Sequence, residues 1–141
     1  MPPYAFPPDD LMISLVNHYF MDLNIHLPLL HRPTFEGCVE SALHLEDEGF
    51  ASLLLLVCAI GARFSYDKRV LSEGTDNWHS AGWKWFSQVA QHRKAINMRL
   101  PRLYDIQIPC VCRLKLRSCA TYADTLRSTC SSYTGTCTAL V

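Results

Sequence analysis

The cysteines in the last third of the chain come closest to the spacing of a metal site. Five of the seven cysteines lie after residue 108. Six residues separate Cys112 from Cys119, with basic side chains at alternating positions, and Cys130 and Cys137 repeat the spacing. Thiolates with basic residues between them are typical of zinc modules that contact DNA phosphates. However, this tail has no Cys-x-x-Cys pair, so we predict that the four candidate ligands hold no metal.

Three histidines near the start of the chain are the candidates for a metal or acid–base site: His18, His26 and His31. A predicted helix and a proline-rich loop separate them, and the zinc motif His-Glu-x-x-His does not occur. We therefore interpret His18 as a helix residue at the edge of the core. His31, Arg32 and Pro33 are expected to form hydrogen bonds around a turn rather than to take part in chemistry.

No residue pattern in the chain indicates catalysis. Cys58 lies within a long apolar run, where a thiol behaves as an inert small hydrophobe. Helical spacing assigns Trp78, Trp85 and Phe86 mostly to the core, whereas Trp83 is the candidate for lining a groove. Gly-x-Ser-x-Gly, phosphate-loop and dinucleotide fingerprints are all missing from the sequence. We predict that the chain is not an enzyme.

Length and composition indicate one globular domain, or a fragment of a larger one. The 141 residues are 49% hydrophobic and 18% charged, which is typical of a folded chain. The formal net charge is zero, so no long-range field steers the chain toward nucleic acid or an anionic membrane. The start, MPPYAFPPDD, lacks the basic and apolar regions of a signal peptide. We therefore expect an intracellular chain with reduced thiols.

The element that must position everything else is the apolar run from Phe50 to Ser65, FASLLLLVCAIGARFS. Acidic residues precede this run and basic residues follow it, which complements the dipole of a helix. Its length favours a helix over a strand but is too short for a membrane span. We predict a buried central helix against which amphipathic neighbours pack.

The remaining pattern predicts amphipathic helices packed around that central one. Apolar residues recur every four positions over residues 11–24, after Asp9 and Asp10 as capping residues. Thr34 is the expected N-cap of a short helix that ends near His44. Another helix begins at residue 76 or 77, and a further turn covers residues 103–107. The predicted fold class is all-α, a partial helical domain of about four to five helices.

The sequence divides into three parts. Residues 1–8 contain four prolines and form an irregular lead-in, and residues 9–107 form the helical domain. Residues 108–141 contain ten serines or threonines and five cysteines without a clear period. We expect this last part to be a low-order tail.

Four segments in order resemble the fungal-specific transcription factor domain, the middle homology region of zinc binuclear-cluster regulators of the xylanolytic-activator type. Residues 17–24 (NHYFMDLN) and 28–35 (PLLHRPTF) resemble its "YF…vN…fPilhrptF" opening. Residues 53–63 (LLLLVCAIGAR) are similar to its central helix, and residues 82–89 (GWKWFSQV) and 103–107 (LYDIQ) are similar to later segments. The resemblance covers about residues 10–107, the N-terminal part of that domain.

The resemblance implies which residues form the structural core and the family motif. These residues are Tyr19, Phe20, Pro28, His31, Arg32, Pro33, Phe35, Leu54, Leu55, Cys58, Ile60, Gly61, Trp83, Trp85, Phe86 and Tyr104. It predicts that Leu54, Leu55, Ile60 and Phe86 form one core, with the tail outside it. It implies no catalytic or cofactor-binding residue. The tail departs from the family, in which the zinc module precedes the regulatory domain and carries six cysteines. The family also continues after residue 107 with further apolar helices, so the resemblance indicates that the tail is translated from a mis-spliced or truncated gene model.

The function that the resemblance implies is regulation of DNA-templated transcription in the nucleus. DNA would be contacted only through a zinc module that this chain lacks, and Zn²⁺ is implied for that module alone. The implied partners are co-regulator proteins or a small-molecule effector, with no membrane. The alternative is a helical protein-interaction module not tied to transcription, whose tryptophan-rich helix docks a partner.

Overall fold

Helices surround one buried helix in the computed structural model, which describes residues 4–74, 76–92 and 102–118. Residue 92 and residues 116–118 are described by their backbone alone. No strand occurs in these three ranges, and the predicted all-α class is confirmed. The five α-helices are α1 (Asp9–His18), α2 (Arg32–Glu40), α3 (Glu48–Gly61), α4 (Trp83–His92) and α5 (Leu103–Ser118). A π-helical turn (Tyr19–Leu23) continues α1, and 3₁₀ turns cover Leu43–Leu45, Lys68–Val70 and Trp78–Ser80.

Helix α3 is the predicted central helix, and every residue from Phe50 to Gly61 is buried. It begins earlier than predicted because the Asp47 carboxylate caps it, accepting the amides of Gly49 and Phe50 at 2.7 and 3.0 Å. It ends at Gly61 rather than Ser65 because the chain then tightens into i to i+3 hydrogen bonds. Leu54, Leu55, Ile60 and Phe86 all lie in one core, as predicted.

Helix α1 packs its predicted apolar face against α3. Leu11, Met12, Leu15 and Val16 are buried. The expected side-chain caps are wrong: Pro8 holds the N-cap position without a side-chain hydrogen bond, and Asp9 and Asp10 lie in the first turn. Their charges instead complement the positive end of the helix dipole.

The helix crossing of α1 and α3 depends on Gly61. A Cβ atom at this position would lie 2.1 Å from the carbonyl oxygen of Leu15. The two backbones therefore touch where a side chain would separate them.

Helix α2 corrects the prediction at both ends. It begins at Arg32 rather than after Thr34, because Pro33 is compatible with a first helical turn and His31 occupies the N-cap position. It ends at Glu40, and Ala42 adopts a left-handed φ of 55° before the next turn. His44 is therefore a buried residue of a 3₁₀ turn and not the end of the helix.

Helix α4 starts later than predicted. Residues 76 and 77 lead into the 3₁₀ turn, where the side chain of Asn77 accepts the amide of His79 at 2.9 Å. Gly82 then reverses the chain with a φ of 72°, and α4 begins at Trp83. A Cβ atom on Gly82 would lie 2.3 Å from the carbonyl oxygen of Ala59, so this turn rests directly on α3.

Helix α5 overturns the prediction that order ends at residue 107. It runs to Ser118 with Pro109 inside it, and Ile108 and Val111 belong to the core. Lys115 completes this face at i, i+3, i+7 spacing and is fully buried. The period of this apolar face is weak in the sequence, because polar residues lie between its members and Pro109 lies within the helix. The expectation of low order for residues 119–141 lies outside the described residues.

Helices α3 and α5 lie side by side in the same direction. At one end, Arg102 donates to the Asp47 carboxylate at 3.0 Å. At the other end, the Lys115 ammonium donates to the carbonyl oxygens of Ala59, at 2.9 Å, and Ala81. Carbonyls in the last turn of a helix lack backbone partners, so a buried cation there is well matched.

No helix in the three described ranges combines the length and the apolar character that crossing a bilayer requires.

Candidate functional site

An open groove lies between the end of α1 and the segment that follows α3. Its volume is about 740 Å³, within the range of ligand-sized clefts. We call it the aromatic groove. Its lining residues are Asn17, His18, Met21, Asp22, Arg63, Phe64, Ser65, Tyr66 and Trp78.

The apolar part of the aromatic groove consists of large side chains that the fold leaves exposed. Tyr66 is 93% exposed and Trp78 is 45% exposed, and their rings meet edge to face with centroids 6.5 Å apart. Phe64 and Met21 are also exposed. The assignment of Trp78 to the core is therefore wrong, because it precedes α4 in a separate 3₁₀ turn. Exposed tyrosine and tryptophan are typical of recognition surfaces.

The polar part of the aromatic groove carries charges of both signs. His18 Nδ1 lies 3.1 Å from the Asp22 carboxylate one helical turn later. The Arg63 side chain is half-buried on the opposite wall, and the buried Ser65 hydroxyl accepts the amide of Asp67 at 3.2 Å. Charged and hydrogen-bonding groups therefore lie beside the exposed rings, an arrangement that suits the binding of a planar or apolar group.

Arg32 fixes α2 against the wall of the aromatic groove. Its guanidinium donates to Asn17 Oδ1 at 2.9 Å and to Glu36 Oε1 at 2.7 Å. It also lies 5.7 Å from the centroid of the Phe20 ring, a cation–π distance. His31 Nδ1 meets the Thr34 hydroxyl at 2.8 Å. These contacts agree with the prediction that this motif organises a turn.

Hydrogen bonds from the Asn24 side chain also stabilise the loop that joins α1 to α2. The Asn24 side-chain amide donates to the Leu30 carbonyl at 3.1 Å and accepts the Leu30 amide at 3.2 Å. The side chain thus mimics a paired backbone across the proline-containing loop, and it sets the direction in which α2 begins.

The histidine and cysteine candidates do not assemble into a site among the described residues. His18 and His31 have the separate partners given above, and His26 is exposed. Within the described ranges, no three His, Cys, Asp or Glu side chains are grouped closely enough to hold a metal ion. Cys112 packs half-buried against the core, whereas Cys119, Cys130 and Cys137 lie outside the described residues.

Two buried titratable side chains in the family motif lie away from the aromatic groove. Burial raises the pKa of the Cys58 thiol, which keeps it protonated and unreactive. Burial also raises the pKa of Tyr19 to about 12. Its hydroxyl has no hydrogen-bond partner among the described residues. Both groups are therefore neutral at physiological pH.

The residues implied by the resemblance divide by exposure into three sets. Those buried are Tyr19, Phe20, Phe35, Leu54, Leu55, Cys58, Ile60, Gly61, Trp85 and Phe86. Arg32, Trp83 and Tyr104 are half-buried, and Pro28, His31 and Pro33 are exposed. Trp83 packs on Phe86, with ring centroids 5.1 Å apart, and does not line the aromatic groove.

Sequence reasoning missed most of the aromatic groove. Tyr66 opens the polar connector between α3 and α4, and Trp78 closes it. Large aromatic side chains in an otherwise polar connector are the signal that could have indicated an exposed binding surface.

Comparison with known proteins assigns most of the packed region to one family. Neither the curated proteins nor the solved structures gave a significant match to this chain. A family model described as "Fungal specific transcription factor domain" matches residues 16–112, well over half of the 141 residues. The match begins within α1, includes all of α2, α3 and α4, and ends within α5. The chain therefore belongs to the fungal specific transcription factor domain family.

Proposed function

We propose that this chain is the regulatory, middle homology region of a fungal zinc-cluster transcription factor, and that it modulates transcription in the nucleus. The observation that carries this proposal is the family match over residues 16–112. That range contains the central helix and most of the helices packed on it. The aromatic groove supports the proposal as a surface on which a regulatory partner can act.

In this proposal, DNA is read by a separate zinc module and not by these residues. The 13 lysines and arginines are balanced by 13 acidic residues, so the field that draws a protein to the phosphate backbone is missing. Several arginines are also paired, as Arg69 is with Asp67 at 2.7 Å and Asp10 at 2.9 Å. Zinc belongs to the separate module, and this chain acts without a cofactor or a catalytic step.

The partner in this proposal is a co-regulator protein or a small-molecule effector, and not a membrane. Aromatic rings with a charged rim bind apolar or planar groups by burying them against Tyr66 and Trp78. A regulatory signal would then reach α3 through the residues that follow it, Arg63 and Phe64.

A helical protein-interaction module not tied to transcription is the second candidate function. The exposure of Tyr66 and Trp78 favours it, because such residues carry much of the binding energy at protein interfaces. This alternative needs the aromatic groove but no link to a promoter.

A reporter assay tests the proposal. The chain is fused to a heterologous DNA-binding domain in a fungal host, and transcription from its promoter is measured. We expect the fusion to change transcription several-fold relative to the DNA-binding domain alone. Replacing Tyr66 and Trp78 with serine should remove most of that change while the chain stays folded.

Two results would contradict the proposal. A folded, nuclear fusion that leaves transcription unchanged would favour the interaction module instead. Tight, sequence-dependent and salt-tolerant binding of the unfused chain to DNA in a gel shift would show that these residues read DNA themselves.

A further inference from the structure

The segment before α1 lies on the folded domain as an ordered strap. We call residues 4–8 the strap; it has no regular secondary structure. Its side chains and backbone contact three separate elements: α3, α4 and the 3₁₀ turn Leu43–Leu45. An irregular lead-in was predicted, but its docking was not.

Tyr4 anchors the first end of the strap in the core. Its side chain is buried, and its hydroxyl lies 2.9 Å from the Ser52 hydroxyl on α3. Ser52 donates its own proton to the Glu48 carbonyl at 2.9 Å. A serine hydroxyl has a single proton, so Tyr4 must be the donor to Ser52. This buried contact therefore recognises a phenol specifically.

Gln88 on α4 recognises the backbone of the strap. Its side-chain carbonyl accepts the Ala5 amide at 2.8 Å, and its side-chain amide donates to the Ala5 carbonyl at 3.2 Å. A two-point contact of this kind reads an extended backbone whatever the side chain. Ala5 itself is exposed, so the position tolerates other residues.

The strap is held by the side chain of Tyr4, by the backbone of Ala5 and then by the side chains of Phe6 and Pro7. The Phe6 ring meets the buried His44 ring edge to face, with centroids 4.9 Å apart, and Pro7 is buried. Pro8 has φ −54° and ψ 148°, which is polyproline II geometry. Because the proline ring fixes φ, Pro7 and Pro8 lose less backbone freedom on docking than other residues do.

We propose that the surface under the strap is a peptide-binding site that the chain fills with its own residues. We call it the strap site, made by Ser52 on α3, Gln88 on α4 and His44. Its ligand class is an extended segment with the pattern Tyr-x-Phe-Pro. A partner protein that carries this pattern displaces the strap and binds in its place.

The strap site is an exchangeable contact because the strap adds no helix or strand to the core. The strap continues directly into α1, and the Pro8 carbonyl accepts the Met12 amide at 2.8 Å. A short tether holds a ligand at an effective concentration on the order of millimolar. The chain's own strap therefore excludes a weak free peptide, and a variant with a weakened strap admits it. This proposal does not depend on the proposed function in transcription.

The test uses the full chain and the labelled peptide acetyl-Tyr-Ala-Phe-Pro-Pro, followed by fluorescence anisotropy. In the receptor, Tyr4→Ala and Phe6→Ala remove the two anchors of the strap. We expect the peptide to bind this variant at least about tenfold more tightly than the wild-type chain. A matched peptide with N-methylalanine at its second position loses the donor to Gln88 and should bind about fivefold more weakly. Adding Gln88→Ala should weaken binding similarly.

Equal binding to the wild-type chain and the variant, or no binding to a folded variant, would overturn the proposal. A second measurement needs no variant and covers the case in which the receptor fails to fold. Hydrogen exchange of the Ala5 amide in the wild-type chain should become several-fold faster with millimolar peptide, because displacement removes its contact with Gln88. Amides in the middle of α3 should not change. An Ala5 exchange rate that stays constant at millimolar peptide would likewise overturn the proposal.

Discussion

Gly82→Ala should be one of the most destabilising single substitutions that removes no side-chain atom from this protein. Gly82 has a φ of 72°, and an added Cβ would lie 2.3 Å from the carbonyl oxygen and 2.7 Å from the Cα atom of Ala59. Both neighbours are backbone atoms of the central helix, so no change of side-chain rotamer can relieve the clash. The substitution therefore combines backbone strain with overpacking.

The expected loss follows from those two terms. A left-handed conformation costs an alanine about 1–2 kcal/mol. Overpacking against a fixed backbone costs a further ~1–3 kcal/mol. We expect the free energy of unfolding to fall by about 2–5 kcal/mol, out of a total of roughly 5–15 kcal/mol for a small domain. Displacement of the turn would also strain the contacts of Lys115 with Ala59 and Ala81.

Substitutions at two other glycines distinguish the cost of backbone strain from the cost of overpacking. Gly74 has a φ of 79°, but nothing lies within 4 Å of an added Cβ, so Gly74→Ala should cost only the ~1–2 kcal/mol of strain. Gly37 lies within α2, also with nothing within 4 Å. Gly37→Ala should stabilise the chain by about 0.5–1 kcal/mol through helix propensity.

Denaturant unfolding followed by far-ultraviolet circular dichroism measures all three variants against the wild-type chain. We expect the free energy of unfolding to decrease in the order Gly37→Ala, wild type, Gly74→Ala, Gly82→Ala. If Gly82→Ala and Gly74→Ala were equally stable, the close contact between the turn and α3 would be refuted.

Two further predictions concern the core and the titration of a buried histidine. Leu55 is fully buried, so Leu55→Asp should abolish the cooperative unfolding transition measured by circular dichroism, because an unpaired buried carboxylate costs several kcal/mol. As a control, Ile13→Asp changes a residue of α1 that is 65% exposed, and it should change the free energy of unfolding by no more than about 0.5 kcal/mol. Equal effects of the two substitutions would contradict the burial of Leu55 in the core. Burial lowers the pKa of His44 in the folded chain, although the negative charge of Asp9 acts in the opposite direction. As the pH falls, His44 is therefore protonated in the unfolded chain before it is protonated in the folded chain. The free energy of unfolding should consequently fall as the pH drops below about 6.5. His44→Asn should remove that part of the pH dependence, and an unchanged slope between pH 7 and pH 5 would show that another group causes it.

Much of the fold could be predicted from the residues alone, because its strongest signals are local. The run around Leu54 and Leu55 leaves no polar face, so it had to be buried whatever its neighbours were. The spacing of Leu11, Leu15 and Tyr19 likewise indicated one buried stripe. The predicted helix ends were less accurate. They depend on the backbone conformations at Pro33, Ala42 and Gly82, and many different sequences share such conformations.

The order of α5 beyond residue 107 shows where local signals fail. Pro109 and the surrounding cysteines weaken its apparent period, yet Ile108 and Val111 are buried because α3 offers them a complementary surface. Lys115 is a sharper case, since a lysine is ordinarily assigned to solvent. It is buried because the tertiary structure brings two backbone carbonyls to the same point.

The sequence by itself determined the helical class, the central helix and the family, because these depend on hydrophobic pattern and on short motifs read in order. Only the tertiary structure decided which side chains face a common space. The pairing of Tyr66 with Trp78 joins residues on opposite ends of a connector, and the contact of Ala5 with Gln88 joins the strap to a helix 83 residues later in the chain. Neither follows from spacing along the chain, because both depend on how the helices pack around α3.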